Sequence, residues 1–93
     1  WQALREGVEV QYLHRVPMQP VAALLRYQPG ARVPAHRHQG VEFVHILSGS
    51  QRDANGIYRA GSFKVNQPGT VHDLFSDDGC VVLIIWEAPV QFI

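Results

Sequence analysis

"GARVPAHRHQGVEFVHILSG" (residues 30–49) places two histidines one residue apart and a glutamate four residues after the second. Successive side chains of a β-strand point to opposite faces, so His36 and His38 share a face, roughly 6.5 Å apart along the strand. Two imidazoles at that separation can converge on one ion with bonds of about 2.1 Å. Arg37, between them, then points outward, which suits its charge. Glu42 begins the next strand and shares its face with Val44 and Ile46, while Phe43, His45 and Leu47 share the other. If Glu42 faces the ion, His45 does not. His45 is therefore assigned to an outer face or a subunit contact.

The same alternation recurs along the chain. "VEVQYLH" (8–14), "VAALLRY" (21–27), "EFVHILS" (42–48), "SFKVN" (62–66), "VHDLFS" (71–76) and "CVVLIIWE" (80–87) are rich in β-branched and aromatic residues and end at Gly or Pro turns. "QRDANGIYRAG" (51–61) reads as a hairpin, with Asn55-Gly56 as its tight turn because both residues tolerate positive φ. Short strands at this spacing, with no helical stripe, repeat or linker, predict one all-β domain over residues 1–93, a sandwich or barrel.

Composition narrows the function. Eight basic and eight acidic residues give no net charge, which argues against nucleic-acid binding, since that rests on phosphate neutralisation. The longest apolar run, "CVVLIIW" (80–86), has the length of a buried strand and not of a membrane span. The chain starts at Trp1 without a methionine, so further N-terminal residues are expected, and a single cysteine with no intrachain disulfide partner fits a reducing cytoplasm. The single cysteine, Cys80, heads the most apolar run and reads as a buried core thiol. A neutral surface on a small domain favours association, and a homodimer is expected, with the N-terminal strands and the "VQFI" tail (90–93) as contacts.

His72, in "QPGTVHDLFS", shares a face with Leu74 and Ser76. A lone histidine on such a strand is structural by default. The first cluster, which needs a further ligand, makes it a candidate. The metal set is then His36, His38, Glu42 and His72. Alternation gives Val44, Ile46, Phe63, Val65 and Leu74 as pocket lining, an apolar surface that suits a small, weakly polar ligand or is simply core.

These residues also carry a family resemblance. Gly30-"ARVPA"-His36-Arg37-His38-"QGV"-Glu42-"FVHILS"-Gly49 resembles the first cupin motif at each fixed position. Gly61-"SFKVN"-Gln67-Pro68-Gly69-"TV"-His72-"DLF"-Ser76 resembles the second, with Gln67 where proline is usual and Ser76 where asparagine is usual. The two motifs span about half the chain. The resemblance implies a double-stranded β-helix, or jelly-roll, barrel of the RmlC-like kind. "VEFVHILSGSQRDANGIYRAGSF" and "QPGTVHDLFSDDGC" look most like the cupin domain of ChrR-type anti-sigma factors and their free-standing dioxygenase-like relatives. In ChrR-type proteins that domain follows a zinc-binding helical domain that grips the sigma factor. No such domain is among these residues, so the resemblance carries the cupin's ligand chemistry and not that grip.

Three imidazoles and a carboxylate suit Fe, Mn, Ni or Zn. Six-coordinate ions keep open positions for water or substrate, while four-ligand zinc is nearly closed unless Glu42 stays back. The implied functions are a metal-dependent, dioxygenase-like enzyme acting on a small organic molecule or, alternatively, a metal-bound sensing or ligand-binding module without catalysis. A sugar isomerase of cupin type fits less well, because few polar residues are expected to face inward.

Overall fold

Gly and Pro turns separate ten strands in the computed structural model, which describes residues 1–93. They are β1 (Gln2–Arg5), β2 (Val8–His14), β3 (Val21–Tyr27), β4 (Ala31–Arg37), β5 (Glu42–Asp53), β6 (Gly56–Arg59), β7 (Phe63–Asn66), β8 (Val71–Ser76), β9 (Cys80–Trp86) and β10 (Gln91–Phe92). Every pairing is antiparallel. The order across the sheet is β1-β2-β3-β9-β5-β8-β4-β10, with β6 and β7 also paired to β5. The long β5 joins the two halves, pairing with β7 and β9 along its first part and with β6 and β8 beyond it. Val10, Ala23, Ile46 and Val82 are sealed in the single core cluster between them.

The barrel expected from the sequence is not closed. β1 and β10 end the strand order without pairing to each other, so the jelly-roll sheet is an open half-barrel. β10 pairs with β4 through only Gln91 and Phe92, and the β1–β2 ladder is broken by an irregularity between Ala3 and Arg5. Two paired residues cannot extend a ladder far enough to close a sheet. Across the gap, the Arg5 guanidinium lies 4.0 Å from the centre of the Phe92 ring, a cation–π contact in place of backbone pairing.

Two bulges decide which side chains face inward. On β4, Val33 pairs with Leu74 but His36 pairs with His72, so three steps on β4 match two on β8. Pro34 sits in that interval and has no N–H for the ladder. Ala31 and Val33 are buried before the bulge, His36 and His38 after it. On β5, Ile46 pairs with Val82 and Ser48 with Val81, so one extra residue is absorbed there. Glu42, Val44 and Ile46 are buried before this bulge, and Gln51 and the Asp53 side chain after it. Gly49 follows with φ of 73°, and a Cβ there would overlap the Gly79 carbonyl, so only glycine lets β5 pass so close.

The hairpin turn falls one residue earlier than expected. Asp53 pairs with Gly56, which makes Ala54 and Asn55 the central residues. Asn55 does not adopt positive φ. Its N–H donates to Asp53 Oδ1 at 2.9 Å, and this Asx contact fixes the turn.

Candidate metal centre and cavity

His36 and His72 are direct cross-strand partners, and His38 follows His36 on the same face. One ring nitrogen from each of the three histidines lies within 4.8 Å of the others. The ring centroids are 4.7 to 5.2 Å apart and the rings meet edge to face, so they converge and do not stack.

Each imidazole is held from behind by an acceptor. His36 Nδ1 donates to the Pro34 carbonyl at 2.8 Å. His38 Nδ1 donates to the Thr70 carbonyl at 3.2 Å and to Thr70 Oγ1 at 3.0 Å, and that hydroxyl donates onward to the Gln67 carbonyl. His72 Nδ1 donates to Asp53 Oδ2 at 3.1 Å. A carbonyl or a carboxylate can only accept, so the proton of each neutral ring sits on Nδ1 and the Nε2 lone pair faces the cluster. His38 Nε2 and His72 Nε2 are buried without any hydrogen-bond partner. Burial moves His36 and His72 below the ordinary histidine pKa, and repulsion adds to this, from His38 on His36 and from His36 and His38 on His72. Converging lone pairs with the outer nitrogens tied back are what a divalent cation requires.

Glu42 stands beside this group, outside the set of mutually close ligand atoms. Its Oε1 is 3.5 Å from His38 Nε2 and accepts from Asn66 Nδ2 at 2.9 Å. Burial alone would raise its carboxyl, but the neighbouring His38 imidazole and the hydrogen bond from Asn66 outweigh that and hold it below the usual carboxylate range. Glu42 is thus an anion within reach of the cluster, either as a fourth ligand or as an acceptor for a group bound there.

The cluster faces a cavity of about 440 Å³ whose walls are mainly apolar, among them Val8, Leu25, Val33, Val82 and Ile84. His36, Glu42 and His72 form part of its lining, and Leu4, Arg5, Pro89 and Phe92 line it where the sheet stays open. Of the lining read from the sequence, Val44 and Leu74 are in the wall. Ile46 is sealed in the core, fully buried. Phe63 and Val65 require correction. They lie on the outer face, 61% and 42% exposed, because the register pairs Glu42 with Asn66 and Val44 with Lys64. Lys64 and Asn66 are the inward residues of β7.

The sequence reading missed Lys64 and Asn66, as well as Gln51, Asp53 and Thr70 around the imidazoles and the cavity. The two remaining histidines stand apart. His45 is half-buried on the outer face, with its ring 6.2 Å from Phe63, and exposed His14 bonds Gln19 at 2.8 Å. Cys80 is buried, and burial raises its thiol pKa, which makes it a packing residue rather than a reactive thiolate.

Comparison with known proteins gives the same architecture. Residues 1–89 match the family model described as the ChrR Cupin-like domain. The anti-sigma-E factor ChrR of Cereibacter sphaeroides is 30% identical over 94 aligned positions, covering 99% of this chain and 44% of that protein. The chain therefore spans less than half the length of this curated relative. In the crystal structure of Rhodobacter sphaeroides SigE in complex with the anti-sigma ChrR, the match covers 92% of this chain and 47% of the other, at 27% identity and a TM-score of 0.82. An acetylacetone dioxygenase from Acinetobacter johnsonii superimposes with a TM-score of 0.85 at 21% identity, over 94% of this chain and 64% of that one. That last likeness is one of fold alone.

Proposed function

The chain belongs to the ChrR cupin-like family, and from that premise we propose that it is a metal-bound module that binds a small ligand and senses it, without catalysis of its own. The observation that carries this reading is the convergence of three Nε2 lone pairs whose opposite nitrogens are committed to acceptors. A bound divalent ion would supply a Lewis-acidic centre at the wall of the cavity. His36, His38 and His72 would hold it, with Glu42 as fourth ligand or as acceptor for a coordinated group. Zinc suits three imidazoles and a carboxylate at four-coordination, and this near-closed set favours sensing over turnover.

Asp53 sits behind His72, where it orients the ring, and Glu42 shares one of its oxygens with Asn66. A protein partner belongs to the proposal too, by likeness to the ChrR–SigE complex. So does a homodimer in the cytoplasm. The outer face carries Phe63, Val65, Leu47 and Ile85, all exposed, and Trp1, Phe92 and Ile93 are exposed near the open edge, an apolar surface that association would cover.

A dioxygenase-like enzyme is the second reading. It is favoured by the open side of the histidine cluster, which faces a cavity of small-molecule size. The test is metal content after purification without a metal-affinity tag, followed by oxygen uptake with a β-diketone. Tightly held zinc and no uptake is the expected result. Stoichiometric iron or manganese with uptake would replace the sensing reading by the enzyme. His36→Ala and His72→Ala variants that bind as much metal as the parent would overturn both.

A further inference from the structure

Opposite in character to the histidines, one side chain in the cavity wall has no use in the metal centre. Lys64 is inward on β7, with its side chain only 8% exposed, and it lines the cavity. Its ammonium has no hydrogen-bond partner. The nearest anion, Asp53 Oδ2, is 3.9 Å away, beyond hydrogen-bond length. Asp53 is already engaged elsewhere: Oδ2 accepts from His72 Nδ1 and Oδ1 accepts from the Asn55 N–H. The Tyr58 ring covers the amine on one side, 4.4 Å from Nζ. Nζ itself has almost no accessible surface, so an anion must draw it toward the cavity that Lys64 lines. A buried ammonium with unmet donors carries a desolvation cost that an incoming anion would offset.

The rest of the cavity fits an anion with a hydrocarbon body. Arg5, Arg15 and Lys64 line it against the single carboxylate Glu42, which the imidazole cluster and Asn66 already engage. A cation on the imidazoles would add to this positive excess. Val44, Leu74, Val82 and Ile84 supply apolar wall, which disfavours a strongly hydrated anion such as phosphate. Gln51 Oε1, another partnerless polar atom in the wall, adds one acceptor.

We propose that Lys64 is the anchor for the ligand of this cavity, and that the ligand is a small organic carboxylate whose alkyl or aryl body packs against the apolar wall. The proposal deepens the ligand-binding reading above by naming the class of ligand and the residue that selects it.

The experiment uses octanoate and benzoate as probes, with octanamide and benzamide as neutral counterparts and inorganic phosphate as the hydrated anion. Binding to the metal-loaded and metal-free protein is followed by calorimetry and by the emission of Trp86, which also lines the cavity. The expected result is a preference of about tenfold or more for a carboxylate over its amide, the scale of one charge-assisted hydrogen bond. Lys64→Met should abolish that preference while leaving amide affinity within about twofold, since the apolar contacts remain. In the parent itself, the Nζ resonance of Lys64 should shift with the carboxylate and not with the amide, a readout that needs no folded variant.

Retained preference in Lys64→Met, an unmoved Nζ resonance, tighter binding of phosphate, or no carboxylate binding at millimolar concentration would each overturn the proposal. Metal content is read on the same samples. A chain that binds no metal but keeps the Lys64-dependent preference fails the metal reading alone. A chain that binds metal without the preference fails this proposal alone.

Discussion

The two polar walls of the cavity are built on opposite plans. On the β4–β8 side, each imidazole donates its Nδ1 proton backward, leaving lone pairs aimed inward. On the β5–β7 side, the Lys64 ammonium makes no hydrogen bond, and only the loose ion pair with Asp53 lies behind it. One wall is preorganised for a cation, the other for an anion. Asp53 stands behind both, bonded to His72 and 3.9 Å from Lys64. Preorganisation here is therefore a matter of which hydrogen bonds are made outside the cavity, more than of which residues line it.

The strongest way to break this comparison is to remove a ligand. His36→Ala or His72→Ala should lower metal affinity by more than the ~10- to 100-fold that loss of an outer partner costs, measured by competition with a chelator. The carboxylate-over-amide preference should persist in the same variants, because Lys64 is untouched. Next comes Asp53→Asn, which keeps the shape and removes the charge. Metal affinity should fall by about tenfold as His72 loses its anionic acceptor. Carboxylate affinity should rise, because Lys64 loses a competing negative charge. Movement of both in the same direction would show that the walls are not distinct.

The contrast between the walls also explains what could be read from the sequence. The clustered histidines were legible because alternation along a strand puts His36 and His38 on one face, and because Glu42 and His72 sit at spacings that few other arrangements share. Phe63 and Val65 misled because alternation fixes faces within a strand but not the phase between strands. Their apolar character suggested core, whereas cross-strand pairing of Val44 with Lys64 sets the phase the other way. Phe63 instead packs outside against Phe43, with ring centres 6.2 Å apart. The bulges were a second blind spot. Continuing the Glu42–Ile46 alternation along β5 would point Asp53 outward, yet the extra residue before Gly49 turns it in behind His72. A proline inside a strand, as at Pro34, was the one visible warning of such a step.

Acid should separate the walls at intermediate magnitude. Burial holds His36 and His72 below their ordinary pKa of 6.5, and Glu42 lies below its ordinary 4.5. All three bind protons less readily when folded than when unfolded. Their contribution to stability is therefore present above about pH 6.5 for the histidines and above about 4.5 for Glu42, and is lost as pH falls through the depressed folded values. Melting temperature of the metal-free protein should decline stepwise from pH 7.5 to pH 4. Burial lowers the Lys64 amine as well, against the attraction of Asp53 and Glu42. Lys64→Met should make that decline slightly shallower, because the Lys64 charge helps to hold His72 down. A flat acid profile would mean that the imidazoles are not held in the neutral form described here.

The smallest effect is expected at Thr70, where the imidazole wall has redundancy. His38 Nδ1 has two acceptors from this residue, the carbonyl and the hydroxyl. Thr70→Val removes only the hydroxyl and keeps the branched shape, so the tautomer stays fixed by the carbonyl. The loss should be that of one neutral hydrogen bond, about 0.5–1.5 kcal/mol, or roughly two- to tenfold in metal affinity. It should be smaller than for Asp53→Asn, whose bond to His72 has no second acceptor behind it. Chelator competition on the two variants, side by side, ranks them. A Thr70→Val loss equal to that of Asp53→Asn would mean that the hydroxyl, and its bond onward to the Gln67 carbonyl, sets the orientation of His38. The turn at residues 67–70 would then be as much a part of the cation wall as Asp53.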